Sequence, residues 1–252
     1  MHIFLVNDDG IGSKGIMALY RAAVERGHEV TAHVDATLPD SDKIDSDRFR
    51  AADVAIEFTV PSAAVANYRA ALAQGVPVVS GTTGWTSAMP EVRKMVEEVG
   101  GTLLWTSNFS IGVNLFMRIN AYAARRMSRF AQYAPSMEEI HHIHKLDHPS
   151  GTAITLAEGI IANDPAVKGW GEPEEGKALP AGTLPIAHER IGEVPGTHIV
   201  RWTSDVDCIT LEHKAFSRDG FALGAVMAAE WIAAHPEARG VLGMDDTLLK
   251  GI

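Results

Sequence analysis

The densest group of reactive side chains lies in residues 138–153, where four imidazoles and one ammonium group occur within sixteen residues. A Ser-Gly-Thr turn and an apolar helical pattern follow at once. We expect Ser150 to cap that helix, because a serine hydroxyl can accept a hydrogen bond from a free N–H group at a helix start. A helix start directs N–H groups and a positive dipole end at one point, which suits a carboxylate or phosphate. Lys145 would add a full charge, so the sequence predicts an anion-binding site.

The same stretch predicts two separate chemical roles for its histidines. If residues 139–145 form a strand, side chains alternate between its faces. His141 and Lys145 would then share one face, and His142 and His144 would share the other. A proton donor would thereby be separated from side chains that only bind substrate.

Three interpretations of this histidine cluster compete. Histidine is a common zinc ligand, but no cysteine lies nearby and the Lys145 ammonium would repel the ion. Surface histidines on a strand would need no function at all. A general acid beside an anion site accounts for the histidines, the lysine and the helix start together. We therefore expect a catalytic site that holds no metal.

The elements that must position this cluster begin with a βαβ unit. A strand over residues 2–6 and a helix over residues 16–26 are followed by a strand over residues 28–34. Between the first strand and the helix lies a GxGxxG pattern, which consists of Gly10, Gly12 and Gly15. In a dinucleotide-binding fold such glycines let the pyrophosphate approach the helix start.

An acidic residue in the expected place supports the same interpretation. Asp35 lies 20 residues after Gly15, where an acid binds the ribose hydroxyls of the cofactor. An acid there repels a 2′-phosphate and so favours NADH. His33 and Lys14 can offset that repulsion, so both NADH and NADPH stay open as cofactors.

Two later strands end in residues that suit the edge of a cofactor site. Strands over residues 54–59 and 76–80 are joined by a helix over residues 61–74. Ligands of open α/β sheets bind at the carboxyl ends of the strands. This rule predicts cofactor contacts at Phe58, Thr59, Gly81, Thr82 and Thr83.

Residues 139–153 resemble the signature of the dihydrodipicolinate reductase family, and the resemblance is close from residue 53 onward. His148 departs from the pattern, because the family usually has alanine there. The resemblance implies reduction of dihydrodipicolinate (4-hydroxy-tetrahydrodipicolinate) to tetrahydrodipicolinate by NADH or NADPH, in the diaminopimelate and lysine pathway. It implies catalytic roles for His141 and Lys145. The residues implied to bind the cyclic dicarboxylate substrate are His142, Ser150, Gly151 and Thr152.

The family resemblance also implies the architecture. We expect an α/β fold with a Rossmann-like dinucleotide-binding domain over residues 1–108, completed by residues 218–252. A smaller α+β substrate and oligomerisation domain with a mixed sheet would span residues 109–217, and the family is typically tetrameric through it. The hinge segment that closes over the cofactor would consist of Thr106, Ser107, Asn108 and Phe109.

The front end of the chain resembles another family. Residues 1–35, with the Asn-Asp-Asp-Gly-Ile sequence from Asn7, are similar to the start of the stationary-phase survival nucleotidases. That resemblance implies a divalent metal at Asp8 and Asp9. The alternative functions are therefore a metal-dependent nucleoside monophosphate phosphatase, or a reductase-like protein with impaired cofactor binding.

Composition excludes several classes of function. The formal net charge of −10 argues against nucleic acid or an anionic membrane as a partner, since both need a basic face. The longest apolar stretch, residues 221–234, is too short to span a bilayer. The single cysteine, Cys208, rules out an internal disulfide and fits the reducing cytoplasm. Its alternating strand context predicts a buried thiol.

Overall fold

A computed structural model describes residues 1–7, 13–32, 44 and 46–251, and the fold is given for these residues. The α-helices are α1 (Lys14–Glu25), α2 (Asp47–Arg50), α3 (Pro61–Ala73), α4 (Met89–Glu98), α5 (Ile111–Met127), α6 (Gly151–Asn163) and α7 (Asp219–Ala234). The strands are β1 (His2–Asn7), β2 (Glu29–Ala32), β3 (Val54–Phe58), β4 (Val78–Ser80), β5 (Thr102–Trp105), β6 (Ala134–His141), β7 (Gly169–Gly171), β8 (Thr183–Arg190), β9 (Thr197–Thr203), β10 (Cys208–Lys214) and β11 (Gly240–Leu242).

The chain divides into two compact units. The first consists of Met1–Ser110 together with Asp219–Ile252, and the second of Ile111–Arg218. The expected divisions after residues 108 and 217 fall beside these bounds.

The first unit is built on a six-stranded sheet with the order β11-β5-β4-β3-β1-β2. All of its strand pairs are parallel. The chain moves from β1 to β2 on one side and then returns to β3 on the other side of β1. This reversal is the topological switch point at which α/β sheets bind ligands. The expected Rossmann-like class is confirmed.

Apolar strands and helix faces explain how this sheet is covered. Helix α7 packs on α1 and contacts β3 and β4, and α3 also contacts both of these strands. In the core Phe4 meets Phe49 edge to face at 4.8 Å, and Tyr68 meets Trp85 at 5.1 Å. Burying such side chains removes large apolar areas from water and stabilises the unit.

The second unit has a five-stranded mixed sheet with the order β10-β9-β6-β8-β7. Strands β6 and β8 are parallel, whereas β9 is antiparallel to both β6 and β10. Helix α6 contacts α5 and β6. The side chains of Leu156, Ile160 and Trp202 are fully buried in the core of this unit. The α+β architecture expected from the family resemblance is therefore present.

The sequence-based boundaries differ from the structure in three places. The strand expected over residues 139–145 ends at His141. Residues 163–182 are rich in proline, glycine and glutamate, which is typical of a surface loop, but they contain β7, which pairs in parallel with β8. Strand β11 was not predicted, because its three residues are too few to show an alternating pattern. The last two residues of the strand expected over residues 28–34, and Asp35 after it, lie outside the described residues.

The prediction of a buried thiol was wrong. Cys208 is exposed, and its Sγ accepts a hydrogen bond from Thr203 Oγ1 at 3.3 Å. The physical reason is that β10 is an edge strand of its sheet, so its alternating pattern does not require a covered face. No helix in the described residues is both long enough and apolar enough to cross a bilayer.

Candidate active site

A buried carboxylate organises the histidine cluster of the second unit. Glu139 lies in β6 and is fully buried. Its Oε2 accepts the backbone N–H of Ser150 at 3.0 Å, and its Oε1 accepts Nη2 of Arg190 at 3.1 Å. Nδ1 of His141 lies 3.4 Å from Oε2, and no hydrogen bond forms between the two atoms. Sequence reasoning missed both Glu139 and Arg190.

Opposing effects set the proton affinities of this pair. Burial would raise the pKa of Glu139, but the hydrogen bonds from Ser150 and Arg190 outweigh it and leave the pKa lowered. Burial lowers the pKa of His141, and the Glu139 charge offsets this only in part. The positive charges of Lys145 and Arg190 lower the pKa of His141 further. His141 is therefore a stronger acid than an exposed imidazole.

A second buried imidazole, which the sequence gave no reason to select, completes the cluster. His198 lies in β9, and its ring centroid is 5.1 Å from that of His141. Burial and the neighbouring His141 lower the pKa of His198 to about 4. Its Nε2 lies 3.1 Å from Oγ of Ser150. His198 is thus a neutral partner that holds the helix cap in place.

Ser150 caps α6 as the sequence predicted. Its hydroxyl accepts the N–H of Ala153 at 3.2 Å, and its own N–H is bound to Glu139. Among the described residues, the N–H groups of Gly151 and Thr152 have no acceptor. Gly151 is exposed and Thr152 is half-buried, so two free donors at a helix start face a point that solvent or a ligand can reach.

Lys145 lies in the segment between β6 and α6. Its Nζ lies 2.8 Å from both carboxylate oxygens of Asp147. Arg190 donates to the backbone oxygens of Lys145 and Asp147, at 3.2 and 2.8 Å. The guanidinium that binds Glu139 therefore also fixes the loop that carries the ammonium group.

The predicted division of the histidines between two strand faces was wrong. The last residue pairs of β6 are His141 with Arg190 and Ile140 with Thr197, so beyond His141 no strand is left to pair with. The chain turns instead, and the N–H of Lys145 donates to His142 O at 3.1 Å. The rings of His142 and His144 lie 6.0 Å apart. Nδ1 of His142 is buried and has no hydrogen-bond partner in the described chain.

The cofactor edge predicted in the first unit is organised by Glu57, another buried carboxylate that sequence reasoning missed. Ser80 Oγ and Thr82 Oγ1 donate to its Oε2 at 2.6 and 2.9 Å, and Thr59 Oγ1 donates to its Oε1. The N–H of Thr59 donates to Thr82 Oγ1 at 2.7 Å. The hydroxyls of Thr59 and Thr82 are thus bound within the protein, and Thr83 is exposed. The carboxyl ends of β3 and β4 are locked together in this way.

Packing explains two more residues of this edge. A Cβ added at Gly81 would lie 2.0 Å from the Phe58 ring, so only glycine lets that ring lie over the turn. The Phe109 side chain is 1% exposed and packs at 5.9 Å from the Phe58 ring. The Phe109 ring is therefore part of the core in this structure, and its contact with a cofactor stays a prediction.

The remaining residues of the predicted hinge form a turn. Thr106 Oγ1 accepts the N–H of Asn108 at 3.2 Å, and Asn108 Oδ1 accepts that of Ser110 at 2.9 Å. Ser107 is exposed. Gly10, Gly12 and Asp35 lie outside the described residues, as do Asp8 and Asp9. Gly15 is the second residue of α1, and a Cβ there would meet none of the described atoms within 4 Å.

The strand order of the first unit also suits dinucleotide binding. Helix α1 begins just after β1, at the switch point, and Ser13 caps it by accepting the N–H of Ile16 at 3.4 Å. The free donors of a helix start at this position suit a pyrophosphate.

Metal binding fits the buried cluster poorly. The ligand atoms of Glu139, His141 and His198 lie within 4.8 Å of one another. However, Glu139 already accepts two hydrogen bonds, and the Arg190 charge would oppose a cation. The arrangement suits an anion near His141.

Comparison with known proteins identifies relatives of the whole chain. The family described as dihydrodipicolinate reductase, N-terminus, matches residues 16–109, and the one described as dihydrodipicolinate reductase, C-terminus, matches residues 112–248. The 4-hydroxy-tetrahydrodipicolinate reductase of Christiangramia forsetii is 39% identical over 241 residues, which are 95% of this chain and 95% of that protein. The enzyme of the same name from Archaeoglobus fulgidus is 40% identical over 78% of this chain and 76% of its own length.

A solved structure agrees in fold. Dipicolinate-bound dihydrodipicolinate reductase from Paenisporosarcina sp. TG-14 superimposes with a TM-score of 0.75, at 22% identity, over 96% of this chain and 98% of that chain. The nucleotidase resemblance of residues 1–35 receives no support. Most of these residues lie within the match to the C. forsetii reductase, since that match covers 95% of the chain.

Proposed function

Because this chain belongs to the dihydrodipicolinate reductase family, we propose that it reduces 4-hydroxy-tetrahydrodipicolinate to tetrahydrodipicolinate with NADH or NADPH. One observation carries the proposal. A proton donor, an ammonium group and two free N–H groups at a helix start occur within twelve residues, from His141 to Thr152. These groups match a substrate that carries two carboxylates and needs a proton when it is reduced.

His141 is the proposed proton donor. The bound nicotinamide supplies a hydride, and the negative charge left on the substrate must be quenched by a proton. Burial and neighbouring positive charges lower the pKa of His141. The imidazolium is therefore a stronger acid and transfers its proton more readily, but a smaller fraction of His141 is protonated at neutral pH. The two negative charges of a bound substrate stabilise the imidazolium and so raise the protonated fraction of His141.

The substrate carboxylates have matching groups in the segment that follows His141. Lys145 offers a charge, and Gly151 and Thr152 offer backbone donors at the positive end of α6. The buried, unpartnered Nδ1 of His142 supports a polar role for that ring. Asp147 holds Lys145 through both of its oxygens, so a carboxylate of the substrate replaces Asp147 when it binds.

Cofactor binding belongs to the switch point of the first unit. The glycines of the loop before α1 would let the pyrophosphate approach, and the turns after β3 and β4 would line the nicotinamide half. Glu57 keeps Thr59 and Thr82 in register, which leaves the backbone of both turns as the contact surface. With Asp35 favouring NADH and Lys14 available to a 2′-phosphate, the ratio of kcat/KM for the two cofactors decides the preference.

The family resemblance supports a homotetramer assembled through the mixed sheet. Strand β10 is an edge strand of that sheet, and it is mostly exposed. We also propose a cytoplasmic location. The chain has a single cysteine, which fits a reducing compartment, and the proposed reaction is a biosynthetic reduction by NADH or NADPH.

The deciding experiment follows the absorbance of NADH, and separately of NADPH, with freshly generated substrate. We expect oxidation that depends on both the protein and the substrate. If a fluorescence titration detects NADH binding but no oxidation occurs, the substrate assignment is wrong. If NADH does not bind, the chain is the reductase-like protein with impaired cofactor binding. Hydrolysis of a nucleoside monophosphate that depends on Mn²⁺ would instead favour the phosphatase.

A further inference from the structure

A second group of imidazoles lies outside the buried cluster. His148 precedes α6, Glu172 follows β7, and His188 lies in β8. Nδ1 of His148 lies 2.7 Å from Oε2 of Glu172, and Nδ1 of His188 lies 2.8 Å from the same oxygen. The two imidazole rings are stacked, with centroids 4.1 Å apart and planes 18° from parallel. Three potential ligand atoms thus converge on one point.

These three residues have the ligand types of a zinc site. Two histidines and one glutamate form the protein ligands of several catalytic zinc centres, in which a water takes the fourth position. The ligand atoms here lie within 4.8 Å of one another. The side chains of His148, Glu172 and His188 are 47, 28 and 33% exposed, so an ion and a water can reach them.

The spacing requires only a small adjustment. With zinc-to-ligand distances of about 2.1 Å, tetrahedral ligand atoms lie roughly 3.4 Å apart. The two nitrogen-to-oxygen distances would therefore have to increase by about 0.6–0.7 Å. Half-exposed side chains make such a change by small rotations. In the absence of a metal, both imidazoles donate to Glu172 through Nδ1–H. Metal binding would require each Nδ1 to give up this proton, either to Nε2 of the same ring or to solvent.

The contrast with the buried cluster favours this second group. There the carboxylate of Glu139 is bound by a guanidinium and a backbone N–H. Here the partners of Glu172 among the described residues are the two imidazoles alone, and both can become neutral ligands. A cation would therefore displace protons rather than compete with a fixed positive charge.

We propose that His148, Glu172 and His188 form a site for Zn²⁺ or another divalent transition metal with the same ligand preference. The site connects the segment before α6, which carries Lys145, to the β7–β8 part of the sheet. This departs from the expectation that the chain binds no metal, which was based on the lack of a nearby cysteine and on the ammonium group of Lys145. Glu172 and His188 are distant from His148 in sequence, so the triad exists only in the folded chain. The proposal does not depend on the reductase activity.

The test is equilibrium dialysis of the metal-stripped full chain against Zn²⁺, with bound zinc measured by atomic absorption. We expect one Zn²⁺ per chain. His188→Gln and Glu172→Gln should each lower the affinity by at least about tenfold, because each removes one of three ligands. Far-UV circular dichroism without metal verifies that the variants are folded, and either variant alone is sufficient to decide.

Two control variants separate this site from the other imidazoles. His144 is exposed on the same segment and pairs with Glu193 at 3.2 Å, and no second imidazole among the described residues pairs with Glu193. His144→Gln should keep the parent affinity, and so should His198→Gln, which alters the buried cluster. Zinc binding at the parent affinity in either His188→Gln or Glu172→Gln, once that variant is shown to be folded, would overturn the proposal. So would the absence of bound zinc in the parent, or an equal loss in His144→Gln.

Discussion

The carboxylate of Glu139 lies 3.4 Å from Nδ1 of His141, two residues further along the same strand. Residues two apart on a strand point to the same face, so β6 directs an acid and its counter-charge together into the cluster. Glu139 is held in turn by Arg190, which also fixes the loop of Lys145. The Arg190 guanidinium therefore links His141, the proposed proton donor, to Lys145, which is proposed to bind a carboxylate of the substrate.

Replacing the proposed acid should affect turnover more than binding. We expect His141→Gln to lower kcat by about 10²–10⁴-fold, the usual contribution of a general acid, with a much smaller change in KM. Steady-state kinetics with NADH and fresh substrate measure both constants. His144→Gln is the control, since that ring is exposed and pairs with Glu193. Equal kcat in His141→Gln and the parent would refute the assignment.

Removing the counter-charge should move the pH profile. An acid must be protonated to act, so kcat/KM should fall as pH rises through the pKa of His141, which lies below 6.5. Glu139 raises that pKa, so Glu139→Gln should move the fall to lower pH. The neighbouring Glu138, which pairs with Arg201 at 2.8 Å, offers Glu138→Gln as a matched control. A profile that moves equally in both variants would contradict the role of Glu139.

Releasing Lys145 should help the substrate to bind. Asp147 holds the ammonium at 2.8 Å, and its side chain is 65% exposed. Because an exposed ion pair is worth at most about 1 kcal/mol, we expect Asp147→Asn to lower KM for the substrate by up to about fivefold. Initial rates over a range of substrate concentrations give the value, with Glu193→Gln as a control on the same surface. A higher KM would show that Asp147 positions Lys145 rather than competing for it.

Local signals were sufficient for much of the fold and for part of the site. The GxGxxG pattern and the alternation of apolar strands with helices predicted the parallel sheet. The Ser150 cap was visible because a serine stood directly before an apolar helical pattern. Each of these signals is contained within a few residues.

Features that depend on distant residues were not predictable. Strand β6 ends at His141 because its neighbours β8 and β9 supply no further partner, which a sequence pattern cannot reveal. Arg190 and His198 reach Glu139 from β8 and β9. One signal was available for Glu57, however, since a single charged residue interrupts the apolar sequence of β3. A carboxylate at such a position must be buried with hydrogen-bond donors around it.

Glu57 should support the stability of the first unit. Its oxygens accept hydroxyl groups of Thr59, Ser80 and Thr82 in a buried network. In Glu57→Gln the amide presents a donor where a hydroxyl needs an acceptor, so we expect the free energy of unfolding to fall by about 1–3 kcal/mol. Urea unfolding measures this change. Glu91→Gln, in an exposed pair with Arg69 at 2.8 Å, should cost about 1 kcal/mol or less. Equal costs in the two variants would contradict the network.

The buried His198 should make the stability of the protein depend on pH. Its pKa in the folded chain is about 4, below the 6.5 of an ordinary imidazole, mainly because burial disfavours the charged form. Between these values the unfolded chain binds more protons than the folded chain, so stability rises with pH. The contribution is complete above pH 6.5 and is lost as pH falls toward 4. A shift of this size corresponds to about 3 kcal/mol.

Urea unfolding at a series of pH values across that window tests the assignment. His198→Gln should reduce the increase of stability with pH, because it removes the imidazole whose pKa is lowered to about 4. The glutamine amide can still bind Ser150 Oγ. His141 and His213, whose pKa values are also lowered by burial, should leave a smaller slope of the same sign. In the exposed-imidazole control His144→Gln, the parent slope should remain. If His198→Gln retained the full slope, the proton uptake would have to come from other groups, and His198 would not be the neutral buried partner described.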